Sequence, residues 1–456
     1  MTQDDLLRDA TTRALEYLRT LDERPVAPSD DEMARLAELG GPLPERPEAD
    51  EATLALLDSV GSPATVASAG PRYFGFVIGG SLPVTTATAI LAAAWDQNAV
   101  VEASSPTATA LERTALEWLV DILDLPSTAY GALVTGTAMG NVCGLAAGRT
   151  ALLARAGWDL EADGLHGAPP LRVVAGAEAH STLLGAVALL GLGRARIESV
   201  AVDAQGRMRP DALPALDDRT ILCIQAGNVN TGALDPAEPL CAAARDAGAW
   251  VHVDGAFGLW ARASQRLTDA ARGYDAADSW ATDAHKWLNV PYDCGAVLVR
   301  DPTHLSRAMA VNAAYLPEAA TGNPIDYTPE GSRRARGVGV WAALRSLGRS
   351  GVADLVDRCC ALASQFADGL RAGGCEVLNE VSLNQVLVAF GDDDTTNRVI
   401  TGVQRDGACW CGGTVWQGRA AMRISVSSWA TTAADVDQSV AAILRVAKAQ
   451  ALGGGM

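Results

Sequence analysis

The run Ala249-Trp-Val-His-Val-Asp254 is one of four short, mostly apolar segments rich in β-branched residues in the middle of the chain. Helical patterns of apolar residues separate these segments. Strands that alternate with helices and are apolar on both faces predict an α/β fold, with a mostly parallel sheet covered by helices on each side. Active sites in such sheets gather at the carboxyl ends of the strands. The other three segments are Leu171-Arg-Val-Val174, Thr220-Ile-Leu-Cys-Ile-Gln225 and Gly295-Ala-Val-Leu-Val-Arg300.

The 456 residues are enough for two or three domains. Residues 3–22 carry apolar side chains at the spacing of an amphipathic helix, and a proline-rich connector follows. We therefore expect residues 1–70 to form an N-terminal helical arm that packs on a partner subunit. Residues 71–337 are expected to form the large domain. Residues 338–456, which read as a long helix, shorter strands and a last helix, predict a smaller α+β C-terminal domain.

The net charge of −18 argues against nucleic acid and anionic membranes as partners, because both bind basic surfaces. The start Met1-Thr-Gln-Asp-Asp5 is acidic, unlike a signal peptide, and no apolar run is long enough to span a membrane. The nine cysteines lack the paired spacing of a metal site. We expect reduced thiols, no metal and a cytoplasmic protein.

Lys286 is one of only two lysines, against 34 arginines. It lies in the apolar stretch Ser279-Trp-Ala-Thr-Asp-Ala-His-Lys-Trp-Leu-Asn-Val-Pro291. A guanidinium stays charged, whereas a desolvated lysine can lose its proton and attack a carbonyl carbon. We therefore interpret Lys286 as a residue that forms a Schiff base, rather than as a lysine whose stem covers apolar surface.

Asp254 ends a strand 32 residues before Lys286, so strand–helix–strand geometry can bring both to one edge of the sheet. A carboxylate there can keep a pyridine nitrogen protonated, as the chemistry of pyridoxal phosphate requires. A helix N-cap is the alternative for this aspartate. Ala256, two residues on, is small enough to lie against a ring.

A phosphate site is indicated by Gly136-Thr-Ala-Met-Gly-Asn141, which follows an apolar run and precedes a helical stretch. N–H groups at a helix start, together with the Thr137 hydroxyl, bind phosphate well. A purely structural turn is the alternative. His180 opens another helix, where its imidazole can stack on a ring or simply cap the helix. Together these signals predict pyridoxal phosphate as the cofactor.

Four runs resemble the pyridoxal-phosphate-dependent group II amino acid decarboxylases, and the similarity extends from about residue 70 to 445. The resemblance implies the type I fold of pyridoxal-phosphate-dependent transferases, with a mostly parallel sheet of the seven-stranded type and helices on both faces. It also implies a homodimer with the active site at the subunit interface, and a carboxy-lyase that converts an L-amino acid to the amine and CO2. The runs are Val251-His-Val-Asp-Gly-Ala256, Asp283-Ala-His-Lys-Trp-Leu-Asn289, Ala179-His-Ser181 and Ser332-Arg-Arg-Ala-Arg336.

The resemblance implies roles for individual residues. Lys286 would be the Schiff-base lysine, and Asp254 would contact the ring nitrogen. Ala256 and His180 would lie on the two faces of the ring, with His180 counted among the catalytic residues. The further cofactor contacts would be Thr137, Ala138, Asn228, Asp283, His285 and, from the second subunit, Ser332.

Tyr315, followed by Leu316, occupies the place of a mobile loop in the family. The resemblance implies that its phenol protonates the carbon that has lost CO2, which favours simple decarboxylation. A packing tyrosine in a surface loop is the alternative. The chain departs from the family at Gly227-Asn-Val229, where the Asn228 amide replaces a threonine hydroxyl, and at Thr137-Ala138, where relatives often have Gly-Ser or Gly-Thr.

By family analogy the substrate pocket lies in residues 71–105, and Tyr73, Phe74 and Tyr292 are the candidate substrate contacts. The apolar and aromatic character of this region favours an aromatic or bulky hydrophobic amino acid, and an acidic amino acid held by an arginine of the partner is the alternative. Transamination or aldehyde formation on the same scaffold is an alternative, since Arg423 could hold a carboxylate. A nucleotide-binding oxidoreductase and a non-catalytic interaction protein are the remaining alternatives.

Overall fold

The computed structural model describes residues 2–310 and 322–453. Within these residues the chain divides into two compact units. One unit draws on Met1–Ile78, Gln365–Leu378 and Leu387–Met456, and the other on Gly79–Ser364 and Asn379–Val386. The second unit contains a seven-stranded sheet, and a four-stranded sheet lies mainly in the first.

Eleven strands are assigned in the described residues, seven of them in the larger sheet. They are β1 (Tyr130–Val134), β2 (Arg172–Gly176), β3 (Glu198–Val200), β4 (Thr220–Gln225), β5 (Trp250–Asp254), β6 (Ser279–Asp283), β7 (Gly295–Val299), β8 (Glu376–Val377), β9 (Gln385–Ala389), β10 (Gly412–Trp416) and β11 (Arg419–Ser425).

The larger sheet has the strand order β1-β7-β6-β5-β4-β2-β3. Strands β2, β3, β4, β5 and β6 run parallel to one another, and β7 is antiparallel to both of its neighbours, β1 and β6. The prediction of a mostly parallel sheet with a smaller C-terminal α+β part is therefore confirmed. Because β4, β5 and β6 are parallel, their carboxyl ends at Gln225, Asp254 and Asp283 meet at one edge.

Fourteen α-helices occur in the described residues, and α12 contains a non-helical residue, Gly348, with φ of 62°. They are α1 (Gln3–Arg19), α2 (Asp30–Arg35), α3 (Asp50–Leu56), α4 (Ser62–Ala64), α5 (Pro83–Trp95), α6 (Pro106–Ile122), α7 (Thr137–Arg155), α8 (Leu160–Asp163), α9 (Ser181–Leu189), α10 (Ala237–Ala247), α11 (Pro302–Met309), α12 (Gly337–Ala372), α13 (Asp393–Asp406) and α14 (Ala433–Gly453).

Helix α7 lies very close to the sheet because small residues recur on one of its faces. A Cβ atom at Gly144 would come within 2.6 Å of the His252 ring, and one at Gly148 within 2.8 Å of the Trp250 ring. Gly140, one turn earlier, faces Ala281 in the same way. The repeat every fourth residue matches the helical period, so one face of α7 stays flat along its length. This close packing fixes the start of α7 at the carboxyl edge of the sheet.

Strand β5 is buried on both faces, but the faces differ chemically. Val251 and Val253 make one face apolar, whereas Trp250, His252 and Asp254 project to the other, because side chains alternate along a strand. The expectation that this strand is apolar on both faces is therefore wrong for the face that meets α7. Polar side chains are tolerated there because each of the three has a hydrogen-bond partner.

The N-terminal segment begins with a capping box, in which Thr2 and Asp5 bond to each other's backbone N–H groups. None of the residues of α1 is buried. The packing of residues 1–70 on a partner subunit stays a prediction. Among the described helices, none combines the length and the apolar character that crossing a membrane would need.

Candidate active site

A cavity of about 210 Å³ lies where β4, β5 and β6 end and α7 begins. Residues that are distant in the sequence meet there, since the lining comes from several separate loops. All four side chains singled out from sequence alone, Thr137, His180, Asp254 and Lys286, line it. The remaining lining residues are Gly136, Ala138, Thr182, Gln225, Gly227, Val229, Ala256, Phe257, Asp283 and His285.

Lys286 is paired with a buried carboxylate. Its Nζ lies 2.9 Å from Oδ2 of Asp283, and the lysine side chain is 21% exposed. The other carboxylate oxygen, Oδ1, accepts the N–H of Thr137 at 2.6 Å. Asp283 thus joins the amine to the first residue of α7 and holds Lys286 at the cavity wall.

Asp254 is buried and has no cation within ion-pair distance among the described residues. Its Oδ2 accepts a hydrogen bond from Nδ2 of Asn141 at 3.1 Å, and its Oδ1 accepts the N–H of Ala256 at 3.3 Å. Burial raises the pKa of this carboxyl, while the positive charges of His180 and Lys286 oppose the rise. The carboxylate would therefore be stabilised by a cationic group placed in the cavity.

The start of α7 carries an unsatisfied hydroxyl. Thr137 is the first residue of the helix and is buried, and its Oγ1 has no hydrogen-bond partner among the described residues. Buried hydroxyls nearly always have partners, so an orphaned one at a cavity wall indicates that a ligand supplies the partner. A phosphate fits this position, because helix N-termini attract anions.

His180 lines the cavity and also caps α9. Its Nδ1 accepts the N–H of Thr182 at 3.3 Å and lies 2.7 Å from the hydroxyl of that residue. The capping role and the cavity role are thus compatible, because a bond to Nδ1 leaves the ring face available. Ala256 lines the same cavity, as the sequence predicted.

His285 is fixed by its neighbours. Its Nδ1 accepts the N–H of Cys294 at 3.1 Å, so the proton of the neutral ring sits on Nε2, which lies 3.6 Å from Asp283 Oδ1. The ring packs against Tyr292 with centroids 4.4 Å apart and the two ring planes tilted by 32°. Burial lowers the pKa of His285, so the ring stays neutral near pH 7.

Several predicted site residues lie outside the lining of this cavity. The Asn228 amide oxygen accepts the N–H groups of Asn230 and Thr231, and its Nδ2 has no partner among the described residues. Ser332 is exposed, and Tyr292 is 51% exposed. In the other unit, Tyr73 stacks on Trp410 and Phe74 packs edge-on against Phe366. Tyr315 lies outside the described residues.

Sequence reasoning missed Gln225, Phe257 and Asn141. Gln225 and Phe257 line the cavity, and Asn141 bonds to Asp254. The position of Gln225 at the end of a predicted strand next to Asp254 was a usable signal. Asn141 lies four residues after Thr137, hence on the same side of the helix, and this spacing also could have identified it.

The chain is similar to several known proteins over most of its length. Residues 43–391 match the pyridoxal-dependent decarboxylase conserved domain. A tryptophan decarboxylase 1 of Oryza sativa subsp. japonica is 27% identical over 91% of this chain and 87% of its own length. A tyrosine decarboxylase of the same plant is 31% identical over 77% and 69%. A crystal structure of Oryza sativa TDC with PLP and tryptamine superposes with a TM-score of 0.89 and 25% identity, covering 98% of this chain and 99% of that one.

Proposed function

The chain belongs to the pyridoxal-dependent decarboxylase family, and from this premise we propose that it converts an aromatic L-amino acid to the corresponding amine and CO2. It is a carboxy-lyase with pyridoxal phosphate as its cofactor, as the sequence predicted. One observation carries the residue assignments. A lysine paired with a carboxylate, a second buried carboxylate without a cation, and an orphaned hydroxyl at a helix start share one cavity.

The bound cofactor supplies an electron sink for the pair of electrons left behind when CO2 departs. The protein supplies orientation, charge and the removal of water. We assign the cationic ring nitrogen to Asp254, because this carboxyl is buried and has only neutral hydrogen-bond donors. An anionic Asp254 and a cationic ring stabilise each other because the carboxylate is buried, where charges interact more strongly than in water.

Lys286 is proposed to hold the cofactor covalently and to exchange protons with Asp283, whose carboxylate lies 2.9 Å from its amine. The same carboxylate would repel a phosphate dianion, since like charges in a buried site disfavour each other. We therefore propose that Asp283 orients Lys286 and the N–H of Thr137, and that Thr137 and Ala138 make the direct phosphate contacts from the same subunit.

His180 and Ala256 are proposed to lie on the two faces of the cofactor ring, since both line the cavity beside Asp254. His285 precedes Lys286 in the sequence, and its ring lies next to the Asp283 carboxylate. We propose that His285 keeps that carboxylate in place. Asn228 is proposed to shape the loop at the end of β4 through its two backbone hydrogen bonds. Tyr315 remains the proposed proton donor to the carbon that has lost CO2.

An aromatic substrate is favoured by two lines of support. The relatives carry the names tryptophan decarboxylase and tyrosine decarboxylase. Within this chain, Tyr292 is exposed beside His285 at the site, and it offers an aromatic surface for a substrate ring. Tyr73 and Phe74 remain candidate substrate contacts.

We further propose a homodimer in which Ser332 contributes to the partner's phosphate site. Helix α5 exposes three large apolar side chains, Ile90 (53%), Leu91 (50%) and Trp95 (43%), and exposed apolar groups of this size favour a protein interface. Ser332 is exposed, and the next residue, Arg333, is anchored by a buried ion pair to Glu112 at 2.9 Å. The anchor keeps the exposed serine in a fixed place.

A cytoplasmic location is also proposed. All nine cysteines are free thiols, and seven of them are buried. Secreted proteins with many cysteines generally pair them, so this pattern favours a reducing compartment.

The function is tested by incubating the protein, loaded with pyridoxal phosphate, with each of the twenty amino acids. We expect stoichiometric CO2 and amine from tryptophan, tyrosine or another aromatic amino acid. A keto acid without CO2 would identify an aminotransferase, and an aldehyde with ammonia would identify an aldehyde-forming enzyme. Either result would overturn the proposal, as would turnover restricted to acidic amino acids.

A further inference from the structure

A series of buried, hydrogen-bonded side chains leads from Trp250 to Asp254, and the side chains before Asp254 do not line the cavity. Trp250 Nε1 lies 3.0 Å from Ser279 Oγ, which lies 2.8 Å from His252 Nδ1. His252 Nε2 lies 2.9 Å from Asn141 Oδ1, and Asn141 Nδ2 lies 3.1 Å from Asp254 Oδ2. Each of these five side chains is less than 5% exposed.

The two ends of this chain fix the direction of every hydrogen bond in it. The indole N–H of Trp250 can only donate, so it occupies one lone pair of Ser279 and leaves the serine O–H to donate to His252 Nδ1. The neutral imidazole then carries its proton on Nε2 and donates it to the Asn141 oxygen. This leaves the NH2 group of Asn141 to donate to Asp254. An ionised carboxylate can only accept, so the two ends agree.

Protonation of His252 would disrupt this arrangement of hydrogen bonds, because both nitrogens of a protonated imidazole are donors and neither can accept the serine proton. Burial lowers the pKa of His252 to about 3, so the ring is neutral in ordinary buffers. The packing of α7 also holds the His252 ring in its buried position. Gly144 leaves room for the imidazole against α7, and a Cβ there would lie 2.6 Å from the ring.

We propose that Asn141 is a positioning residue for Asp254, and that Trp250, Ser279 and His252 act as one unit that fixes the direction of the Asn141 amide. The inference rests on the proposed contact between Asp254 and the cofactor ring. If the amide turned over, its oxygen would face the carboxylate and repel it. The four side chains thus keep Asp254 both anionic and oriented without placing a charge near it.

The tautomer of His252 tests the direction of the chain without any catalysis. Full-length protein loaded with pyridoxal phosphate is labelled with ¹⁵N-histidine, and the spectrum of a His252→Gln variant assigns the resonances of His252 among the five histidines. We expect the Nε2–H tautomer, unchanged from about pH 5 to 8. An Nδ1–H tautomer, or a proton gained within that range, would overturn the inference.

The effect on Asp254 is tested with Asn141→Leu, which removes the donor. We expect the dissociation constant of pyridoxal phosphate to rise by about tenfold or more, since a hydrogen bond to a charged group is lost. With ¹⁵N in the cofactor ring, the nitrogen resonance should move towards the unprotonated position. Thr282→Val, at a buried hydroxyl on β6 without a partner among the described residues, is the control and should change neither.

Ser279→Ala is a second test that leaves Asn141 in place, so it remains informative if Asn141→Leu fails to fold. It should give a mixture of His252 tautomers and a smaller change of the ring nitrogen. If Asp254→Asn alters cofactor binding but both network variants match the Thr282 control, the inference fails and the proposed function stands. If Asp254→Asn also has no effect, the proposed role of Asp254 itself is wrong.

Discussion

Two neighbouring strands, β5 and β6, each end in a buried aspartate at the same cavity, yet the surroundings of the two carboxylates differ. Asp283 at the end of β6 holds the ammonium of Lys286 and the N–H of Thr137. Asp254 at the end of β5 receives only neutral donors, and burial raises its pKa. Asp283 is thus paired with a cation of the protein itself, and the absence of such a pair at Asp254 within the described residues supports our proposal that Asp254 pairs with a cationic group of the cofactor.

The largest effect should follow from Lys286→Ala, which removes the cation of Asp283 and the nucleophile. We expect kcat to fall on the order of 10³-fold or more, because removal of a covalent catalytic group is rarely compensated. Single-turnover CO2 release measures this. Lys448→Ala removes the only other lysine and should leave the rate unchanged. Equal losses in the two variants would contradict the assignment.

Exchanging each carboxylate for an amide compares the two strand ends directly. Asp254→Asn should lower kcat by about 10²–10³-fold, since the ring nitrogen loses its anionic partner. Asp283→Asn should lower kcat less, because the amide oxygen can still accept the N–H of Thr137. Steady-state kinetics on both variants at saturating cofactor checks the ranking. A larger loss from Asp283→Asn would reverse the interpretation of the two sites.

A smaller effect, on cofactor binding, should follow from removing the Thr137 hydroxyl, which has no hydrogen-bond partner among the described residues. Thr137→Val should raise the dissociation constant of pyridoxal phosphate about tenfold, because one hydrogen bond to a charged phosphate is lost. Binding of pyridoxal, which lacks the phosphate, should not change. Fluorescence titration with both compounds measures the difference. A similar weakening of both would show that Thr137 supports the fold rather than the phosphate.

The smallest expected effect is on stability as a function of pH in the cofactor-free protein. A carboxyl whose folded pKa is raised binds more protons folded than unfolded, so its contribution to stability falls as pH rises above the ordinary value of 3.8. Wild type should therefore lose stability relative to Asp254→Asn between about pH 4 and its folded pKa. Urea unfolding at a series of pH values tests this.

Wild type must be compared with Asp254→Asn at each pH, because His252 changes the free energy of unfolding with pH in the opposite direction to Asp254. Its folded pKa is lowered to about 3, so stability from this residue is lost as pH falls below about 6.5. The difference between wild type and Asp254→Asn cancels this shared contribution. A difference that stays constant with pH would contradict the unpaired state of Asp254.

The sequence predicted the edge where the site forms, because strand ends, glycine-rich turns and a rare lysine are local signals. It placed Asp254, Lys286, Thr137 and His180 in one site, and the structure brings them to one cavity. These local sequence features do not show which hydrogen-bond or ion-pair partner each polar side chain has in the folded protein. Pairing of Asp283 with Lys286, and of Asp254 with Asn141, depends on the register of two strands and one helix.

The polar face of β5 shows the same limit. In sequence, Trp250-Val-His-Val-Asp254 reads as an apolar strand with one histidine, and nothing local states that His252 will meet an asparagine 111 positions earlier. The glycine repeat in α7 is visible in the sequence, but its meaning depends on the strand it lies against. Long-range contacts of this kind are set by tertiary packing rather than by propensity.

The proposed chemistry depends on Lys286 carrying the cofactor in the cavity that it shares with Asp254. Borohydride reduction of the protein loaded with pyridoxal phosphate, followed by peptide mass mapping, tests it most directly, since only two lysines compete. We expect the pyridoxyl group on the peptide containing Lys286 in nearly every molecule. Attachment mainly to Lys448 or to the N-terminal amine, or no stable attachment at all, would contradict it.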